Sequence, residues 1–143
     1  MAVTSFNHWP QIAAGYKREL KKTVREVAVS IKDDASAAAP ELTGFLAGSI
    51  YVKTATSSTY GTGHVSMTPY QALHHELFPE VETPDEYEAM IAVAATYGIY
   101  LEMGTRFMPP QPYWYQAVDN GGAYLDFLLS QIEGNIAAEV GAL

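Results

Sequence analysis

The chain has 143 residues, 48% of them hydrophobic and 17% charged, which supplies a core for one compact domain and argues against global disorder. It contains no cysteine, so disulfides, thiol nucleophiles and cysteine-based zinc sites are excluded. Its net charge of −8 is unevenly spread: Lys17, Arg18, Lys21, Lys22, Arg25 and Lys32 are six of the eight basic residues, and only Lys53 and Arg106 follow, against fourteen acids. Such a dipolar chain suits head-to-tail association with copies of itself or with a charged partner; a solvated basic helix face is the plainer alternative.

From about Pro10 to Ala39 the pattern is helical. Ile12, Tyr16, Leu20, Val24, Val27, Ala28, Ile31 and Ala35 recur at three- and four-residue steps, with the basic residues mostly between them. Pro10 suits a first helical turn and Pro40 ends the run. Thr43 then fits the N-cap of one short turn. Ile50 to Thr56 reads as a strand, Ser57, Ser58 and Gly61 as a turn, and Thr62 to Thr68 as the returning strand of a hairpin.

Pro69 to Glu86 breaks the pattern with three prolines and five acids and no basic residue, so a long exposed loop is expected, with room for one helical turn near Gln71 to Leu77. Tyr87 to Thr96 fits a strand, or a strand running into a helix. Gly98 to Met103 reads as a short helix with Gly104 as its C-cap. Pro112 can open the last helix, whose core stripe would be Ala117, Leu125, Leu128, Leu129, Ile132, Ile136 and Val140, kinked or interrupted at Asn120, Gly121 and Gly122. The order suggests a single domain over residues 1–143 with an acidic insertion at about 69–86. Its fold class is α+β: a small, mainly antiparallel sheet packed against a long N-terminal helix and a C-terminal helix.

No signal-peptide pattern opens the chain, and the longest uncharged apolar window, Ala89 to Leu101, is thirteen residues, too short to span a bilayer. His74, His75 and Glu76 invite a metal reading, but HExxH is absent and adjacent side chains diverge on a helix or strand. The acids from Glu80 to Glu88 lack the spacing and central glycine of a calcium loop. The sequences GxSxG, GxGxxG and the phosphate-binding loop are also missing. Glu102 and Arg106 fit an ion pair across one helical turn, with no nucleophile or histidine to make them catalytic. No catalytic residue, cofactor or metal is expected. Tyr97, Tyr100, Phe107, Tyr113, Trp114 and Tyr115 crowd one region. Tyr, Trp and Arg together favour protein interfaces, while the acidic surround disfavours nucleic-acid binding. Tyr97, Tyr100 and Leu101 are expected to anchor the short helix, and Thr105 to Pro112 to form a stiff arm.

Two separated segments carry a resemblance. APELTGFLAGSIYV, with Ala39, Pro40, Thr43, Gly44, Leu46, Ser49 and Ile50, is similar to a segment of the small neck proteins of long-tailed bacteriophages, described as head–tail joining or tail-completion proteins. YGIYLEMGTRFMPPQPYWYQAV resembles a second segment of that family through Tyr97, Tyr100, Glu102, Gly104, Thr105, Pro109, Gln111, Pro112 and Ala117. Glu41 and Leu42, Pro110 and the long acidic loop depart from its pattern. The resemblance implies a non-enzymatic virion structural protein, assembled in the host cytoplasm into a ring between head connector and tail tube. Six-fold symmetry is expected, twelve-fold the variant, with neighbouring neck and tail proteins as partners, DNA passing without specific binding, and no membrane. Under that reading Glu80, Glu82, Asp85, Glu86 and Glu88 would face the lumen, because acids repel passing phosphate. Thr105, Arg106, Phe107, Met108, Tyr113 and Trp114 would sit at a subunit contact. The alternatives are a small metal-dependent hydrolase using His74, His75 and Glu76, or a soluble binding module of the host cell.

Overall fold

The computed structural model describes residues 9–40, 45–60 and 77–141. Helix α1 (Trp9–Ala38) is followed by a short helix α2 (Phe45–Ser49) and strand β1 (Ile50–Thr54). Strand β2 (Ala89–Val93), helix α3 (Gly98–Met103) and helix α4 (Tyr115–Gly141) complete the order. The fold class is α+β, as the sequence suggests. Thr43, Thr62 to Thr68 and Gln71 to Glu76 lie outside the described residues, and with them the expected N-cap and the body of the returning strand.

Helix α1 runs for 30 residues, about 45 Å at 1.5 Å per residue. Thr23, Val27, Ile31 and Ala35, one residue in four, form a buried ridge with Ala28 beside it, and Ala39 continues the line just past the helix end. The ridge serves only the C-terminal half: Ile12 and Leu20 are half-buried and Tyr16 is exposed. Against this ridge pack both strands, α2 and α4.

Helix α4 is continuous through Gly121 and Gly122, so the helix is not interrupted there. Gly121 has another purpose. A Cβ there would sit 2.1 Å from Cγ1 of Ile31, so the bare backbone is what lets α1 and α4 meet at that level. Ala117, Gly121 and Ile132 are buried along α4, Leu125, Leu128, Leu129 and Ile136 are half-buried, and Val140 is exposed. The two long helices therefore touch closely near Ile31 and loosen toward the start of α1 and the end of α4.

The sheet pairs β1 with β2 in antiparallel register, Ile50 opposite Val93 and Thr54 opposite Ala89. The other edge of β1 is touched by a return that comes sooner than expected. Thr54 N donates to Ser57 O at 2.8 Å and Thr59 N to Val52 O at 3.0 Å, so the chain reverses at Ala55 to Ser57. Phe45, Leu46, Ile50, Ala95, Tyr113 and Ala117 close the core over α1. Among the described residues no helix is long and apolar enough to cross a membrane.

Candidate assembly surface

The corner formed by α3, the segment 104–114 and the start of α4 is built from the motif that carries the second resemblance. Helix α3 is six residues long and ends where Gly104 N donates to Tyr100 O at 2.8 Å. Gly104 has φ +76° and ψ 169°, a region open essentially to glycine alone, and a Cβ would lie 2.7 Å from Pro110 N. This turn swings the chain out of the helix. Thr105 N and Met108 O, and Met108 N and Thr105 O, then close a four-residue loop at 2.9 and 3.2 Å. Gln111 N donates to Leu101 O at 2.7 Å and returns the chain to α3.

Glu102 locks the corner. Its Oε2 accepts Tyr113 N at 2.8 Å and Trp114 N at 2.9 Å, and its Oε1 accepts Tyr115 N at 3.0 Å. These are N–H groups at the entry to α4, left without helical partners and at the positive end of its dipole. Burial pushes the Glu102 carboxyl up, but the bonds from Trp114, Tyr113 and Tyr115 outweigh it and hold the group below the usual carboxylate range. The expected ion pair with Arg106 is replaced by this cap, because three fixed donors converge on the carboxylate. Arg106 instead lies over the Phe107 ring, 5.1 Å from its centroid.

The residues expected at a subunit contact divide into two groups. Tyr113 is 3% exposed and belongs to the core of its own chain, so its side chain does not fit an outward contact; Trp114 is half-buried against that core. Burial pushes the Tyr113 phenol up to about 12. Their backbone N–H groups are held by Glu102. Thr105, Arg106 and Phe107 are exposed and Met108 half-buried. Phe107, at 88% exposure, is the most exposed of the large apolar side chains described. Tyr97 and Leu101 pack against the core as expected, Tyr97 stacked on Phe45 with centroids 6.0 Å apart, whereas Tyr100 is exposed. Ile99, Tyr100 and Met103 thus extend the apolar surface along α3, and Tyr115 continues it onto α4. An exposed run of this kind is a mark of an interaction surface.

The acidic segment is partly neutralised within the chain. The Glu80 carboxylate accepts the Ser58 hydroxyl and lies 3.5 Å from Lys53 Nζ, and the Ser58 bond is the main cause holding its pKa low. Glu86 pairs with Lys21 of α1, which lowers the Glu86 carboxyl and raises the Lys21 ammonium. Asp85 and Glu88 tie a turn, with Glu88 N donating to Asp85 O at 3.0 Å. Glu80, Glu82, Asp85, Glu86 and Glu88 are all exposed, and the loop is pinned by buried Pro84. Two of the five acids therefore have cationic partners from distant elements, which the local absence of basic residues does not reveal. His74, His75 and Glu76 lie outside the described residues. Among the described residues there is no group of three or more His, Asp or Glu placed to hold a metal ion.

Comparison with protein families, curated proteins and solved structures finds no match for this chain.

Proposed function

We propose that this chain is a non-enzymatic structural protein of the neck of a long-tailed bacteriophage or phage-like particle, assembling as a ring that joins head connector to tail tube. The observation that carries the reading is the corner. Exposed Ile99, Tyr100, Met103 and Phe107 stand on a backbone fixed by Gly104 and Glu102. Presenting apolar side chains on a rigid frame lowers the ordering cost of docking a neighbour. The two sequence segments that resemble the neck family add their weight, since the second of them is this corner. In this reading Thr105, Arg106, Phe107 and Met108 contact the next subunit. Glu82, Asp85 and Glu88 are the acids left to repel passing phosphate, with Glu80 and Glu86 contributing less because they are paired.

A joining protein has a direct test. Deleting the gene from the particle's genome is expected to leave full heads and finished tails unjoined in electron micrographs, and adding purified protein to the lysate to join them. Intact tailed particles from the deletion strain would overturn the reading.

A further inference from the structure

The two long helices separate where α1 begins and α4 ends, and the gap is apolar. Ile12, Ala13 and Tyr16 face Ile136, Ala137 and Val140 across a groove of about 510 Å3, in which Glu133 is the one charged lining residue among those described. Tyr16 and Val140 remain 38% and 37% exposed, so among the described residues no side chain closes this groove. At the other end of α4 stands the Arg106–Phe107 turn, an aromatic tip with a guanidinium against its ring. Among the described residues, neither Arg106 nor Glu133 takes part in an ion pair.

The turn and the groove match in kind: an aromatic side chain for an apolar slot, and a guanidinium for an acid in that slot, neither of them ion-paired among the described residues. One copy cannot make the match alone. Ile136 is 21 residues beyond Tyr115 on α4, about 32 Å at 1.5 Å per residue. The turn is closed by the Thr105–Met108 bonds and tied to α3 by Gln111, so it has no slack to cover that span.

We propose that the Arg106–Phe107 turn of one copy of this chain seats in the α1–α4 groove of the next, with Phe107 filling the apolar lining and Arg106 pairing with Glu133. The proposal rests on the assembly reading above and names its contact. Donor and acceptor are different surfaces at opposite ends of the molecule, so the contact is heterologous. Successive copies joined this way form a ring or a filament rather than a closed pair. An aromatic and an arginine at the centre are the residue types that dominate such interfaces.

Photo-crosslinking tests it with the full chain. Replacing Phe107 by p-benzoylphenylalanine keeps an aromatic tip, and irradiation joins it to whatever lies against it. The expected product is a cross-linked dimer whose linkage maps by mass spectrometry to residues 12–16 or 136–140. Arg106→Glu in the photo-labelled copy is expected to lower the yield roughly tenfold, and Glu133→Arg in an unlabelled acceptor copy to restore it. Cross-links mapping elsewhere, no dimer, or yields indifferent to the charge exchange would overturn the contact. A particle neck built from rings of this chain without that linkage would leave the assembly reading standing and remove only this contact. The linkage in a chain whose deletion leaves particles intact would do the reverse.

Discussion

Replacing Glu102 should weaken the fold through the entry to α4, and by an amount that depends on pH. Glu102→Ala removes the acceptor of three backbone N–H groups, two of them in part-buried bonds and the third exposed. A helix N-cap acceptor contributes about 1 kcal/mol, and bonds to a charged acceptor are roughly twice as strong as neutral ones. Water can replace the exposed bond, so the two part-buried bonds set the loss at about 2–3 kcal/mol. Glu102→Gln keeps one acceptor and loses the charge, so about 1–1.5 kcal/mol is expected. The folded pKa of Glu102 lies below its ordinary value of 4.5, so the charge-dependent part is present above 4.5 and lost as pH falls through the folded value. Urea unfolding followed by circular dichroism, in steps from neutral pH downward, gives the difference between wild type and Glu102→Gln directly. The two should converge in acid. A difference under about 0.5 kcal/mol at neutral pH, or one that does not change with pH, would refute the cap as drawn.

Gly121→Ala forces a methyl group against Ile31 and should destabilise by about 1–3 kcal/mol, less the helix-propensity gain of about 1 kcal/mol. Gly122→Ala meets nothing within 4 Å, so only the propensity gain remains and thermal unfolding should move upward; equal effects at the two positions would contradict the helix crossing. Tyr113 titrates at about 12 in the fold against 10.0 ordinarily, so its contribution holds below 10.0 and is lost as pH rises toward 12. Tyr113→Phe should accordingly lose less stability than wild type over that window in alkaline unfolding curves. Phe107→Asp changes an exposed side chain and should shift stability by less than about 0.5 kcal/mol while abolishing joining of heads to tails; a protein that joins normally would argue against the arm. Metal analysis of the purified chain should find no stoichiometric zinc, and a stoichiometric ion bound through His74, His75 and Glu76 would revive the hydrolase alternative.

Local signals were readable and distant ones were not. The helix expected from Pro10 to Ala39 is Trp9–Ala38, and the one expected at Gly98 to Met103 has those bounds, because periodicity and a following glycine act within a few residues. The partner of β1 is β2, whose paired residues lie 35 to 43 positions further along the chain, and only tertiary packing selects it. Gly121 illustrates the same limit: a glycine inside a helical pattern reads as a break until the Ile31 side chain facing it is known. Glu102 looked like half of a local ion pair, since i and i+4 charges attract on any helix. Its cap on a helix that starts thirteen residues later leaves no local trace. Aromatic crowding located the corner but did not separate buried Tyr113 from exposed Phe107, because both uses of an aromatic have the same composition.

Electron cryomicroscopy of the neck of an intact particle carrying this chain decides whether the protein is a ring-forming joint. The expected image is a closed ring of copies, six-fold, lying between connector and tail tube, with the Thr105–Met108 turn of each copy against its neighbour. A neck without this chain, or a ring in which Phe107 points to open solvent in every copy, would contradict it.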